Sequence, residues 1–283
     1  MMRKYLLLFV LWTISTSLTL RSVNNFRLAL PKHSESVYRS SGFDDITMED
    51  AELLLERLDQ GTIIDLRNED ERENKRHKRS EGARYLYDNL QEGSTLKYHP
   101  LIFSQRFWGR IEEEVSFFTR LRGMTISTSD KYQSILAKKL EEGGLGLLYE
   151  VILDTAEREI GAVLDEIIDN TMSERPVVFH CAKGKDRTGI IAAILQLGLA
   201  QSTEAYSKKE IISEYCLSEG KLDEKEGDGA SGNGIIDWRK LRGAPSSAVV
   251  QMLSVIEKKG GFDGYVRRTG VDPYFIKMRL QDL

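Results

Sequence analysis

The chain has 283 residues, and its 40 Lys+Arg against 44 Asp+Glu leave a formal net charge of −4, which argues against a nucleic-acid binder working through bulk positive charge. With 41% hydrophobic and 30% charged residues it carries enough apolar material for a proper core, so wholesale disorder, collagen and coiled coil are excluded. Two cysteines, Cys181 and Cys216, supply neither a disulfide framework nor a four-cysteine zinc site.

From the N-terminus, Arg3 and Lys4 precede an uncharged run from Tyr5 to Leu20, with its apolar weight in Leu6 to Trp12 and small residues (Thr13, Ser15, Thr16, Ser17) after it. Residues 1–22 read as a signal peptide or targeting leader. The run is shorter than the roughly 20 apolar residues that cross a bilayer, so a membrane anchor is the lesser reading. Arg21, Ser22, Arg27 and Lys32, with no acidic residue among them, keep an organelle presequence open, and a buried N-terminal element of the fold is the remaining alternative. The leader points to a secretory, extracytoplasmic or organellar destination and to membrane contact through that segment.

Thr47-Met48-Glu49-Asp50 has the spacing of a capping box, and Ala51, Leu54, Leu55 and Leu58 then recur at helical spacing up to Gly61. Thr62 to Leu66 is a short β-branched run suited to a buried strand. Residues 67–79 are almost all charged and read as a solvated helix or surface loop. Residues 84–88 and 96–101 are expected as strands, and 107–121 and 130–140 as helices. The longest periodic segment, 150–172, places Val151, Ile152, Ala156, Ile160, Val163, Leu164, Ile167 and Ile168 on one stripe, the pattern of a single core-facing helix. Val177-Val178-Phe179-His180 is a compact strand, and 188–200, apolar nearly all round, a buried helix. A helix over 204–218 is followed by 219–234, poor in apolar residues and read as a flexible loop, solvated or acting as a lid. Residues 245–259 and 273–283 are closing helices, the last with Asp272 as N-cap and Pro273 at its first position. Strands alternating with helices predict an α/β fold, a central mostly parallel sheet flanked by helices.

The chemistry concentrates in His180-Cys181-Ala182-Lys183-Gly184-Lys185-Asp186-Arg187-Thr188-Gly189, a loop between a buried strand and a buried helix. The residues between Cys181 and Arg187 suffice for the backbone to curl into a cup whose N–H groups converge beside a helix N-terminus, a seat for a tetrahedral oxyanion. Gly184 removes a side chain where the backbone bends, Gly189 lets the helix pack closely, and Arg187 offers a planar fork for two oxygens. Converging amides, Arg187, Lys183, Lys185 and the helix start all favour the Cys181 thiolate, the nucleophilic form. Beside a phosphate monoester such a thiolate is set for in-line attack on phosphorus, a mechanism that uses no metal or other cofactor but needs a proton donor for the leaving oxygen.

This loop resembles that of the cysteine-dependent protein tyrosine and dual-specificity phosphatases. Its Gly-Lys-Asp-Arg-Thr-Gly ending is similar to the bacterial and fungal-type tyrosine phosphatases that also act on phosphoinositides. Tyr38-Arg39-Ser40-Ser41, Ile64-Asp65-Leu66-Arg67 with Glu71, His99-Pro100-Leu101, Glu214-Tyr215-Cys216-Leu217-Ser218 and the segment 261–283 match that family in the right order, so that 37–283 is expected as the phosphatase domain. The resemblance implies Cys181 as nucleophile, Arg187 as phosphate clamp, Ala182, Lys183, Gly184, Lys185, Asp186 and Arg187 as the phosphate cradle, and Asp186, ahead of Asp88 or Asp154, as proton donor. His180 and Thr188 are supporting residues, His180 tuning Cys181 from the strand end. The implied substrate is a phosphotyrosine protein, with dual specificity, a phosphoinositide or an inositol phosphate open because Lys183 and Lys185 suit additional phosphates.

Bracing of the loop competes with proton donation for Asp186, bracing of the cup or of its own strand end describes Arg67, and core packing describes Cys216. A Cys181–Cys216 disulfide would consume the nucleophile, so activity requires that the two thiols stay reduced or pair only reversibly. Two other classes of function stand beside the phosphatase: an inactive phosphate-binding module, disfavoured by the joint presence of Cys181, Asp186 and Arg187, and a sulfur-transfer enzyme, which has no need of Arg187 and Thr188.

Overall fold

The computed structural model describes residues 18–90, 95–102, 105–116, 129–203, 205–219, 236–237 and 241–283. Its strands are β1 (Arg27–Leu28), β2 (Val37–Ser40), β3 (Thr62–Asp65), β4 (Thr95–Tyr98) and β5 (Val177–His180). The helices are α1 (Met48–Arg57), α2 (Glu69–Arg76), α3 (Glu81–Asp88), α4 (Gln105–Glu113), α5 (Ser129–Thr155), α6 (Glu157–Met172), α7 (Asp186–Ser202), α8 (Lys208–Cys216), α9 (Ser246–Lys258), α10 (Gly261–Arg268) and α11 (Pro273–Gln281). The five strands form one sheet in the order β1-β2-β5-β3-β4, parallel except for the short antiparallel edge β1. The expected α/β fold with a mostly parallel sheet is the fold observed.

Alternation along the strands divides the interior into two cores. Val37, Ile64, Val177 and Phe179 face the larger one, completed by α4 to α11, while Tyr38, Ile63 and Val178 face a smaller one built with α1 and α3. Leu18, Leu20, Val23 and Phe26 also belong to the smaller core, and both the backbone N–H and the hydroxyl of Ser22 donate to Asp50 Oδ2, at 2.7 and 2.5 Å. The last residues of the expected leader are therefore packed against the fold, while 1–17 lie outside the described residues.

The register brings the carboxyl ends of the three central strands into line, with His180 of β5 opposite Ser40 of β2 and Asp65 of β3. Whatever follows these strands gathers at one edge of the sheet: Ser41 to Asp44, Leu66 and Arg67, and Cys181.

Several expected elements differ. Residues 84–88 are the end of α3, not a strand; Ser80 caps that helix by accepting from the Ala83 N–H at 3.0 Å, and its buried Ala83 and Leu86 sit one turn apart. The stripe over 150–172 is buried as expected, but the helix is interrupted at Ala156 (φ −110°, ψ 23°), where α5 gives way to α6. The α5 segment carries its own break at Gly144, with φ 62° and ψ −158°. Helix α10 has no counterpart in the sequence reading, because Gly260 and Gly261, its N-cap and first residue, look like a stop. Both have positive φ (95° and 68°) and turn the chain from α9 into α10. The expected loop at 219–234 and the end of the expected 107–121 helix fall almost wholly outside the described residues.

Candidate active site

β5 ends at His180, and the next residues wind into the loop that opens α7. Cys181 is buried, at 2% exposure. Gly184 holds φ 66°, and a Cβ there would lie 2.4 Å from the Ser40 backbone; only glycine fits both the conformation and the approach. Gly189 does its work one turn later, where a Cβ would stand 3.1 Å from the Tyr215 ring, so the closest packing it permits is against α8.

Three successive carbonyls of the loop are fastened from outside. Ala182 O accepts from the Gly42 N–H at 3.2 Å, Lys183 O from Asn25 Nδ2 at 2.9 Å and Gly184 O from Arg39 Nη2 at 3.0 Å. In a planar trans peptide the N–H points opposite to the C=O. Anchoring these carbonyls outward turns the N–H groups of Lys183, Gly184 and Lys185 to the concave side, where a bound anion would sit.

Arg187 is buried and grips Glu71 with two bonds, Nη1 to Oε2 at 2.5 Å and Nη2 to Oε1 at 2.8 Å, while Nη1 also donates to Leu66 O at 3.3 Å. Burial works against both charges, yet their mutual attraction wins: the Glu71 carboxyl is held below its ordinary range and the guanidinium stays charged. These bonds occupy three of the five guanidinium hydrogens. The Nε hydrogen and the second Nη2 hydrogen, on one edge of the fork, are left for two oxygens of a ligand. Glu71 reaches this position because it is also the third residue of α2 and accepts from the Asn68 N–H at 2.9 Å, closing a capping box.

Two further buried arginines brace the same region. Arg67, 1% exposed, donates to both oxygens of Asp65 and to Asp44. Burial raises the Asp65 carboxyl, but His180 and Arg67 together bring it down to about 2. Arg39, wholly buried, donates to Glu214 at 2.9 Å as well as to the loop; burial lowers it to about 10, against the pull of Glu214. Glu214 in turn accepts from Arg27 at 2.6 Å, so α8, β1, β2 and the loop meet at one carboxylate.

His180 lies at the strand end with Nδ1 3.3 Å from the Cys181 carbonyl, against the edge of Phe43 at 4.9 Å. Since a carbonyl only accepts, Nδ1 carries the proton, and Nε2 stands 3.8 Å from Asp65. Burial holds the imidazole below its usual pKa despite that neighbour. Thr188 is fully buried in the first turn of α7.

Asp186 opens α7 with its side chain 22% exposed. Its Oδ1 accepts from the Tyr149 hydroxyl at 2.6 Å and pairs with the Lys185 ammonium at 2.8 Å. Lys185 is 2% exposed and also donates to Leu241 O at 3.2 Å, so its charge is committed inside the molecule instead of reaching outward to extra phosphates. The other carboxylates weighed as proton donors stand elsewhere: Asp154 is held by Arg110, at 2.9 Å, and by Lys259, and Asp88 is exposed at the end of α3. Both cysteines are free. Cys216 is partly buried against the larger core, as expected, and burial together with Glu219 raises its thiol pKa.

Asn25, Gly42 and Asp44 are parts of this arrangement that sequence reading did not single out. Asn25 lay in the segment read as leader or presequence, and a backbone donor such as Gly42 N–H leaves no side-chain signal.

A family model described as the tyrosine phosphatase family matches residues 29–279. Among solved structures, that of TpbA from P. aeruginosa aligns with a TM-score of 0.37 at 15% identity, covering 88% of this chain and 92% of that one. A cysteine-to-serine variant of TpbA in complex with pTyr aligns at 0.37 and 16% identity, covering 91% and 99%. No curated protein matches the chain.

Proposed function

The chain belongs to the tyrosine phosphatase family, and we propose that it hydrolyses phosphotyrosine in proteins through a phosphocysteine formed on Cys181. The observation that carries this reading is the outward anchoring of the Ala182, Lys183 and Gly184 carbonyls beside a buried cysteine, with Arg187 fixed by Glu71 in the same loop. Inward N–H groups and the free edge of Arg187 hold the non-bridging phosphoryl oxygens and stabilise the charge they carry in the transition state. The Cys181 thiolate attacks phosphorus as the bond to the tyrosyl oxygen breaks, and Asp186 gives that oxygen its proton. Asp186, now a carboxylate, takes a proton from the water that attacks the phosphocysteine; phosphate leaves and the thiolate returns. Every group in this cycle belongs to the chain, the substrate or water.

The coarse charge pattern leaves Lys183 as the loop lysine nearest the surface, which favours a phosphotyrosine substrate over a phosphoinositide. The targeting leader expected over 1–22 remains a proposal, with its residues 18–22 packed against the domain.

The test is phosphate release by the full chain, with reductant and EDTA, from a phosphotyrosine peptide, a phosphothreonine peptide and phosphoinositide vesicles, beside Cys181→Ser. We expect turnover fastest on phosphotyrosine and abolished by the substitution. Turnover that survives Cys181→Ser overturns the thiol mechanism. Phosphothreonine or phosphoinositide hydrolysis as fast as that of phosphotyrosine overturns the strict tyrosine reading. Folded protein without activity on any of them returns the chain to a phosphate-binding role.

A further inference from the structure

We infer that Tyr149 is a positioning residue that fixes which oxygen of Asp186 delivers the proton, an inference that rests on the proton-donor role proposed above. Tyr149 comes from α5 and Tyr215 from α8, far apart in sequence, yet their hydroxyls meet in the interior next to the first residue of α7. Both side chains are buried, Tyr149 at 0% and Tyr215 at 2% exposure, with their rings edge to face at 6.2 Å between centroids.

The direction of the hydrogen bonds follows from counting hydrogens. A phenol has one, and that of Tyr149 goes to Oδ1 of Asp186, the oxygen that also faces the Lys185 ammonium and therefore accepts. The hydrogen between the two tyrosines must then come from Tyr215. The result is a one-way chain, Tyr215 to Tyr149 to Asp186, in which each bond polarises the next. Burial pushes both phenols up, and nearby Asp186 pushes the same way, so both remain donors across any working pH.

The chain and Lys185 converge on the same atom. Oδ1 of Asp186 receives the Tyr149 hydroxyl at 2.6 Å and the Lys185 ammonium at 2.8 Å, leaving Oδ2 to carry a transferable proton. Two donors on one oxygen also lock the plane of the carboxyl. Core packing alone requires neither a hydroxyl on Tyr149 nor its alignment with a partly exposed carboxylate.

The experiment compares kcat/KM for 4-nitrophenyl phosphate, whose leaving group needs little protonation, with that for phenyl phosphate, whose leaving group needs it, in the full chain, Tyr149→Phe, Tyr215→Phe and Asp186→Asn. kcat/KM reports the steps up to loss of the leaving group and is blind to later hydrolysis of the phosphocysteine. We expect Tyr149→Phe to lower the phenyl phosphate value about tenfold more than the 4-nitrophenyl phosphate value, within the 10²–10⁴-fold span of general acid catalysis that Asp186→Asn forfeits. Tyr215→Phe shifts the ratio the same way and less. If Asp186→Asn is selective and Tyr149→Phe lowers both substrates equally, or neither, the positioning role is overturned while the proton donor stands. If Asp186→Asn itself lowers both substrates equally, the proton-donor reading fails and this inference with it. Should Tyr149→Phe not melt cooperatively, Tyr215→Phe carries the test, since it breaks the chain one link further from the loop; an unchanged ratio there overturns the role.

Discussion

Most of the buried charge among the described residues stands in complementary pairs, and Arg187 with Glu71 is the pair on which the proposed phosphate binding rests. Both side chains are under a tenth exposed, so neutralising one member strands the other in a low-dielectric interior. Glu71→Gln keeps an oxygen for one bond and loses the charge and the second acceptor. We expect a stability loss of about 3 kcal/mol in denaturant unfolding. We also expect a fall of about 10²-fold in kcat/KM for a phosphotyrosine peptide, as the guanidinium drifts from its aligned position. Unchanged kinetics in a folded variant would show that the loop aligns Arg187 unaided. Glu71 lies in a run of charge that reads as a solvated face, and for most of that run the reading holds: Glu69, Asp70, Glu73 and Arg76 are exposed. Periodicity of charge does not tell which member turns inward, since that depends on α2 starting directly behind the end of β3.

At the scale of elements, the loop takes its shape from pieces that precede it by more than a hundred residues. Asn25, just before β1, holds the Lys183 carbonyl through a single amide. Asn25→Ala frees that carbonyl to rotate and takes the Gly184 N–H with it. The expected cost is about 1 kcal/mol of stability, the net worth of one hydrogen bond, with vanadate inhibition weakened more than the melting temperature is lowered. Equal vanadate affinity in the variant would mean that Gly42 and Arg39 hold the loop alone. The strand-loop-helix run of 177–200 was legible in the sequence because β-branched residues, a glycine that no side chain can replace and an all-apolar helix speak locally. Helix α3 was not. Its apolar residues are few, its Tyr85-Leu86-Tyr87 run suits a strand by propensity, and its identity is decided by the Ser80 cap and by the packing of Ala83 and Leu86 under α1. Likewise the break at Ala156 leaves the buried stripe unbroken, so a pattern of burial cannot reveal it. Arg39 and Glu214 each drew notice only as parts of familiar local patterns; that they bond to each other across 175 residues is information held by the fold.

For the molecule as a whole, the buried ionic framework predicts sensitivity to acid. Asp65 falls from 3.8 to about 2 in the folded state, and Glu71 and Glu214 also titrate below 4.5. The unfolded chain then binds protons more readily than the folded one, so the stabilisation is complete above the unfolded values and is lost as pH drops toward the folded ones. His180, held neutral by burial below 6.5, acts with the same sign and begins earlier. Denaturant midpoints should hold near neutrality, decline below about pH 6.5 and fall steeply between about 4.5 and 2. Asp65→Asn, less stable at neutral pH, should show a shallower decline, smaller by about 2 kcal/mol over the acid range. Parallel declines for the two proteins would place the acid sensitivity elsewhere.

Glu214 and Tyr215 are neighbours on α8, one tied to the loop through Arg39 and the other to Asp186 through Tyr149. A nascent chain therefore carries its proposed nucleophile, Cys181, long before it carries the elements that brace the loop around it. Until α8 has been synthesised and docked, Arg39 lacks its counter-charge and the hydroxyl chain lacks its first link. Fragments that stop short of residue 214 contain Cys181, Asp186 and Arg187 without the element that coordinates them. On the proposed mechanism, competence arrives with the last third of the chain, and a protein interrupted during translation is left without a finished site to act on bystander phosphates.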